Sequence, residues 1–292
     1  MLVAESIDPL ELMPVSRMAR PLRALLRGWA GVVLGFLYLP IAFMVLFSFG
    51  ESRTPGLPFR GPTLHWYGEM LSNGVLIEAV WTSIQLAAVA TTLSTLIGTM
   101  AAFPLVRSGF RSAGAARILF TLPIMLPGAL IGIALLIFFR RALGVDLSFW
   151  TVVMGHIVFT MPFVVLIVSA RLQGFDRNLE WAAADLGASP ARAMRHVVLP
   201  LIAPAIVAGA LISVTLSIDE FVITFFTVGP QSTLPTYIYT QIKFGVTPEV
   251  NAVATVLLIG TVLLLGLAWA AAGQARRLSR LFGRRRARER IE

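Results

Sequence analysis

Two carboxylates stand side by side, Asp219 and Glu220, inside a run of apolar residues, and their chemistry most needs explaining. A charge at the centre of a membrane helix costs about 2.5 to 3.5 kcal/mol on insertion scales, so such groups face a protein interior or a wet path rather than lipid. On a regular helix Ser213, Ser217, Glu220, Thr224 and Thr227 share one stripe, while Asp219 and Thr215 lie together on its flank. That pattern makes Glu220 the better candidate for lining a wet path, with Asp219, Ser213, Ser217 and Thr224 beside it. At ~1.5 Å per residue the pair lies about 27 Å beyond Leu201, toward one end of the hydrocarbon core. The competing reading makes them interfacial carboxylates, balanced by Lys243 or by an Arg of a neighbouring subunit.

Other chemistry is scarce. His65, His156 and His196 lie far apart, with no metal-ligand spacing and no nucleophile at a telling distance. This predicts structural roles for each, no catalytic residue and no metal site. The only lysine, Lys243, sits in Ile-Lys-Phe, so there is no Gly-Lys-Ser or Gly-Lys-Thr loop for nucleotide hydrolysis. Any ATP chemistry must come from a partner. Cysteine is absent, which excludes a disulfide framework and thiolate chemistry.

The elements that must position these residues are written in the hydropathy. Of 292 residues 57% are hydrophobic and 13% charged, where a soluble domain carries roughly 25% charged residues. The apolar residues come in runs of about 20, the length that crosses a ~30 Å hydrocarbon layer. The runs extend from Trp29 to Phe49, Ala79 to Phe103, Ile118 to Phe139, Trp150 to Ala170, Leu201 to Phe226 and Asn251 to Ala272. They predict an all-α membrane protein of six transmembrane helices. The division is residues 1–28 as an N-terminal segment, 29–272 as the transmembrane domain and 273–292 as a basic tail.

Of the 24 basic residues, 19 fall in the two terminal segments and in the loops around Arg107 and Arg192, while Arg53, Arg60, Arg140, Arg141 and Lys243 lie on the other side. The positive-inside rule makes the richer side cytoplasmic, with both termini inside. The Arg-rich tail reads as a solvated or lipid-headgroup-binding end rather than a nucleic-acid site. The first apolar run is long enough to span and no small-residue cleavage site follows it, so a signal anchor is expected. The segment from Gly50 to Glu78, with His65, Trp66 and Tyr67, suits a short loop or interfacial helix with aromatics at the headgroup level.

The loop from Arg171 to Pro200 is patterned as two short helices. Asp176 or Asn178 caps the first, Glu180 places a negative charge near its N-terminus, Ala182, Ala183 and Ala184 favour helix, and Gly187 supplies a left-handed stop. Ser189 and Pro190 start the second. The first helix is too short to be stable alone, and Trp181 offers a large apolar anchor. It either seats in a partner's groove or lies on the protein's own bundle.

Glu180-Trp181-Ala182-Ala183-Ala184-Asp185-Leu186-Gly187, followed by Val198-Leu199-Pro200, resembles the EAA loop of ABC importer permeases, with Trp181 intervening between the glutamate and the alanines. Leu216-Ser217-Ile218-Asp219-Glu220-Phe221 and Phe244-Gly245-Val246-Thr247-Pro248-Glu249 look like the spermidine/putrescine-type branch of that family. The resemblance implies a type I importer permease fold in the bacterial cytoplasmic (inner) membrane. Glu180, Trp181, Ala182, Ala183, Ala184, Asp185 and Gly187 would form the coupling helix that sits on the ATPase. It also implies a second homologous permease, an ATPase dimer that binds ATP and Mg, and an extracytoplasmic substrate-binding protein, with no cofactor on this chain. The expected solute is a small organic cation such as a polyamine, with Phe225, Phe226, Tyr237 and Tyr239 near the carboxylates for cation–π contacts. Another solute (an opine, an amino-acid-like compound, a metal or an anion) stays open, as does an ATPase-independent secondary transporter with a titrating intramembrane carboxylate.

Overall fold

The computed structural model describes residues 20–53, 56, 59, 61–107, 113–245, 247–263 and 266. In chain order the helices are α1 (Arg20–Ser48), α2 (His65–Ser72), α3 (Gly74–Arg107), α4 (Ala113–Met125), α5 (Gly128–Ile137), α6 (Phe149–Gln173), α7 (Asn178–Asp185), α8 (Pro190–Ala193), α9 (Leu199–Asp219), α10 (Val222–Thr227), α11 (Leu234–Phe244) and α12 (Pro248–Leu263). Among the described residues the only extended pairing is an isolated bridge between Gly50 and Pro62.

Four helices are long and apolar enough to cross a membrane: Ala24–Ser48, Gly74–Arg107, Phe149–Gln173 and the continuous stretch Pro190–Asp219. The expected third span is not straight. Its two halves, α4 and α5, meet at 104°, where Pro127 interrupts the backbone ladder because it has no N–H to donate. The expected fifth span begins earlier and ends earlier than its hydropathy, running from Pro190 to Asp219 instead of Leu201 to Phe226. Of the expected sixth, α12 is described to Leu263. The N-terminal segment up to residue 19 and the tail from 273 lie outside the described residues.

The chain divides into two compact units, Met1–Met70 with Val246–Glu292, and Leu71–Gly245. In the first, α1 buries none of the residues of its spanning window and leaves most of its apolar surface exposed. The loop after it is clamped by aromatics. Trp66 Nε1 donates to the Gly50 carbonyl at 2.7 Å, and the Tyr67 and Ser48 hydroxyls meet at 2.7 Å. Trp66 is buried, so this ring closes the loop on itself where the sequence suggested an aromatic at the headgroup level.

In the second unit α3, α6 and α9 pack on one another. Lipid offers apolar helices no hydrophobic drive to associate, so close approach over small residues must supply the packing. A Cβ on Gly98 of α3 would stand 2.9 Å from Cβ of Val164 and 3.2 Å from the Met161 carbonyl of α6, so only glycine permits this approach. Ala102, Val164, Val168, Leu172, Phe175, Val198 and Ile202 form the core toward the end where α7 lies. Farther along, Thr160 donates to the His156 carbonyl at 2.8 Å, which leaves the Ser94 hydroxyl as the donor of the 2.8 Å bond between α3 and α6.

Candidate functional site: a docking helix and a broken span

Neither residue expected to cap α7 holds the N-cap position, which is Arg177; Asp176, one residue earlier, accepts the Asn178 N–H at 3.0 Å, and Asn178 is the first helical residue. The other end closes as the glycine implied. Gly187 adopts φ +82°, its N–H donates to the Ala184 carbonyl at 2.8 Å, and the Ala188 N–H reaches back to Ala183 at 3.0 Å. This paired closure needs a left-handed residue, which a Cβ disfavours. No side chain of α7 is buried. Trp181 is 64% and Leu186 89% exposed, with Leu179 also outward. An eight-residue helix does not hold itself together in water, and this one presents its large apolar side chains to the outside. Glu180 alone turns back, its carboxylate taken by Arg107 of α3.

Ser189 enters the next helix in an extended conformation with Pro190 at the first position, but its hydroxyl makes no capping bond; its carbonyl accepts the Ala193 N–H at 2.9 Å instead. The helix then passes through a wide turn over Met194–Val198, in which the Leu199 N–H bonds to the Met194 carbonyl. Pro200 follows within α9 and has no N–H to donate. The loop and the fifth span are therefore one element from Pro190 to Asp219.

At its far end the regular helix assumed for residues 201–226 is broken. α9 stops at Asp219, Glu220 takes an extended ψ of 102°, and helix resumes at Val222. Glu220 Oε1 accepts the Ile223 N–H at 2.8 Å, so this carboxylate caps α10. His156 of α6 spans the break, with Nδ1 2.7 Å from Ser217 Oγ on α9 and Nε2 2.8 Å from Thr224 Oγ1 on α10. Thr224 spends its hydroxyl proton on the Glu220 carbonyl at 2.7 Å. Nε2 must therefore carry the proton donated to Thr224, and Nδ1 accepts from Ser217. The result is one directed chain, Ser217 to His156 to Thr224 to the Glu220 backbone, which sets both helix ends at a fixed offset.

This geometry separates the expected pathway residues. Ser213, Ser217 and Thr224 are buried in the chain's own interior, where Ser217 and Thr224 hold His156. Asp219 is exposed and Glu220 half-buried. Among the described residues neither forms an ion pair with Lys243. Of the four aromatics expected beside them, Phe225 and Tyr239 meet edge to face at 5.7 Å, Phe221 lies tilted against Tyr239 at 4.8 Å, and Phe226 abuts Phe225 at 5.4 Å. Tyr237 is elsewhere, buried and accepting from Asn73 Nδ2 at 3.0 Å. Phe225 and Tyr239 wall a depression of about 430 Å³ that also holds Gln231, Ser232 and Lys243. Sequence reading missed His156 as an organiser and Arg107 as a partner; an intramembrane histidine was itself the available signal for the first.

Several apolar spans, the last of them followed by a break at two carboxylates, and a short helix with an outward apolar face define a multi-pass membrane protein. Residues 94–280 match the family described as binding-protein-dependent transport system inner membrane component. The chain is 40% identical over 238 residues to the spermidine/putrescine transport system permease protein PotC of Escherichia coli K12, covering 81% of this chain and 89% of that one. It is 38% identical over 242 residues to the putrescine transport system permease protein PotI of the same strain, covering 80% and 85%. A bacterial ABC transporter involved in the import of alginate shares the fold at 14% identity, with a TM-score of 0.69 over 86% of this chain and 97% of that one. The chain belongs to the family of inner membrane components of binding-protein-dependent transport systems. It is a multi-pass inner-membrane permease component rather than an enzyme.

Proposed function

We propose that this chain is one of two permease subunits of an ATP-driven importer of a small organic cation of the polyamine class. The observation that carries the reading is the 40% identity to PotC over 81% of the chain. A second, homologous permease would complete the pore and cover the bare surface of α1. An ATPase dimer, binding ATP and Mg, would receive α7 through Trp181, Leu186 and the outward faces of Ala182, Ala184 and Asp185, with Ala183 and the Gly187 stop shaping the turn. A substrate-binding protein outside the membrane would deliver the solute, as the family's description as binding-protein-dependent supports. In this reading six helices cross the membrane with both termini inside. Reporters fused after Gly187 and at the C-terminus should read cytoplasm and one near Gly56 the exterior; a C-terminal reporter outside overturns the count.

Asp219 and Glu220 would make their end of the pathway electronegative and favour a cation. Because Glu220 already caps α10, a glutamine there keeps an acceptor for the Ile223 N–H and removes charge only. Asp219, the exposed member, is expected to contribute at least as much. The test is spermidine and putrescine uptake into vesicles holding both permeases, the ATPase and saturating binding protein. Asp219→Asn and Glu220→Gln are each expected to lower uptake several-fold at matched abundance, and the double variant more. Uptake of neither amine by the intact assembly would reject the solute class, and wild-type rates in both variants would leave the carboxylates structural.

A further inference from the structure

The side chain that ties α7 to the spanning helices is one the function has not yet used. Arg107 is the last residue of α3. Its guanidinium meets the Glu180 carboxylate fork to fork, Nη1 to Oε2 at 2.9 Å and Nη2 to Oε1 at 2.6 Å. A bidentate pair of this kind fixes orientation as well as distance, which a lysine's single point charge does not. Two aromatic rings also lie within cation–π distance of the fork. The guanidinium carbon lies 5.3 Å from the centre of the Phe103 ring, one turn back on α3, and 5.6 Å from that of Phe175. Phe175 belongs to the core shared by α3, α6 and α9, and Phe103 packs against it. Only 18% of the Arg107 side chain and 24% of Glu180 remain exposed, so water screens the pair far less than an ordinary surface bridge.

The contrast within α7 is informative. Its large apolar side chains point away from the chain and none of its residues is buried, yet its one first-turn acid is folded back onto a different spanning helix. A glutamate placed only to favour the helix N-terminus needs no partner. Here the carboxylate is consumed inside the chain, 73 residues from its arginine in sequence.

We propose that Arg107 is the positioning residue of the docking helix. Its forked pair with Glu180 fastens α7 to the end of α3, so that a displacement of α7 is delivered to α3 and thence to α6 and α9, which pack on it. The inference rests on the reading of α7 as the ATPase's seat, and its test separates the two. In the reconstituted transporter, Arg107→Glu and Glu180→Arg should each leave the ATPase bound, because Trp181 and Leu186 are untouched. Each should raise the ATP hydrolysed per solute imported at least tenfold. Arg107→Lys, which keeps charge but not the fork, should fall between these and wild type.

The exchange variant carrying both Arg107→Glu and Glu180→Arg should bring that ratio back to within about threefold of wild type. Recovery is partial because a cation then sits in the first turn of α7. An exchange variant no better than Glu180→Arg alone, or Arg107→Glu coupled as well as wild type, overturns the proposal; the first of these outcomes would mean that Glu180 answers to a charge on the partner. If the wild-type chain does not retain the ATPase at all, it is the docking reading that fails.

Discussion

Replacing Trp181 with Ala and Leu186 with Asp in one variant is expected to detach the ATPase while leaving the permease folded. Both side chains stand outside the chain, so the folded state loses almost no packing, and exposed substitutions of this kind stay within about 0.5 kcal/mol. An interface built on a short helix concentrates its energy in a few large anchors, each contributing roughly 2 kcal/mol or more, which is about a 30-fold change in affinity. The aspartate adds the cost of placing an unpaired charge in an apolar groove. ATPase recovered on the tagged permease should therefore fall by at least about 30-fold, and uptake should fall with it at unchanged membrane abundance. Normal recovery of the ATPase would show that α7 is not its seat.

Among the described glycines, Gly229→Ala is expected to be the most damaging substitution. A Cβ built there would stand 2.1 Å from the Leu147 carbonyl oxygen and 3.2 Å from the Ser148 nitrogen. These are backbone atoms at the entry to α6 and cannot swing aside as a side chain would. The same seam is stitched by Thr151 Oγ1, which bonds the Thr227 carbonyl at 2.8 Å. Pushing it apart loosens α10, whose Ile223 and Phe226 lie against Gly155 and Gly132 at contact distances that leave no slack. Overpacking of this kind costs about 3 kcal/mol, a large part of the margin that holds a fold. The yield of monodisperse protein in detergent should drop severalfold and uptake should follow it. Wild-type yield and uptake in Gly229→Ala would show that α10 sits more loosely than this contact implies.

How far the residues announced this architecture differs from part to part. The existence of the spans was legible because lipid demands an apolar run of fixed length whatever the tertiary packing. The closure at Gly187 was legible for a similar reason, since the requirement for positive φ is local. The bend between α4 and α5 had its signal in Leu126-Pro127-Gly128, which an even hydropathy profile masked. The break at Glu220 had none, because no Pro or Gly interrupts Leu216 to Phe226. It depends on His156, 61 residues from Ser217 and 68 from Thr224. The periodicity argument found the stripe of hydroxyls but not that two of its members, Ser217 and Thr224, meet His156. Small polar groups facing a buried imidazole and small polar groups facing a wet path leave the same pattern on one helix. Likewise Glu180 was recognisable as an acid at a helix start, whereas its arginine belongs to another segment entirely.

The unbroken element from Pro190 to Asp219 also has a mechanical meaning. Its 30 residues make a rod about 45 Å long, with the turn into α7 at one tip and the carboxylates at the other. A tilt of ~10° about the Pro190 tip would carry the Asp219 tip through about 8 Å, close to the separation of two packed helices. The wide turn over Met194–Val198 lies near the grip, so any give in the rod is concentrated there and the long arm beyond it swings as one piece. A lever of this shape trades force for throw: a small, strong movement at the α7 end becomes a large, weaker one where the carboxylates stand.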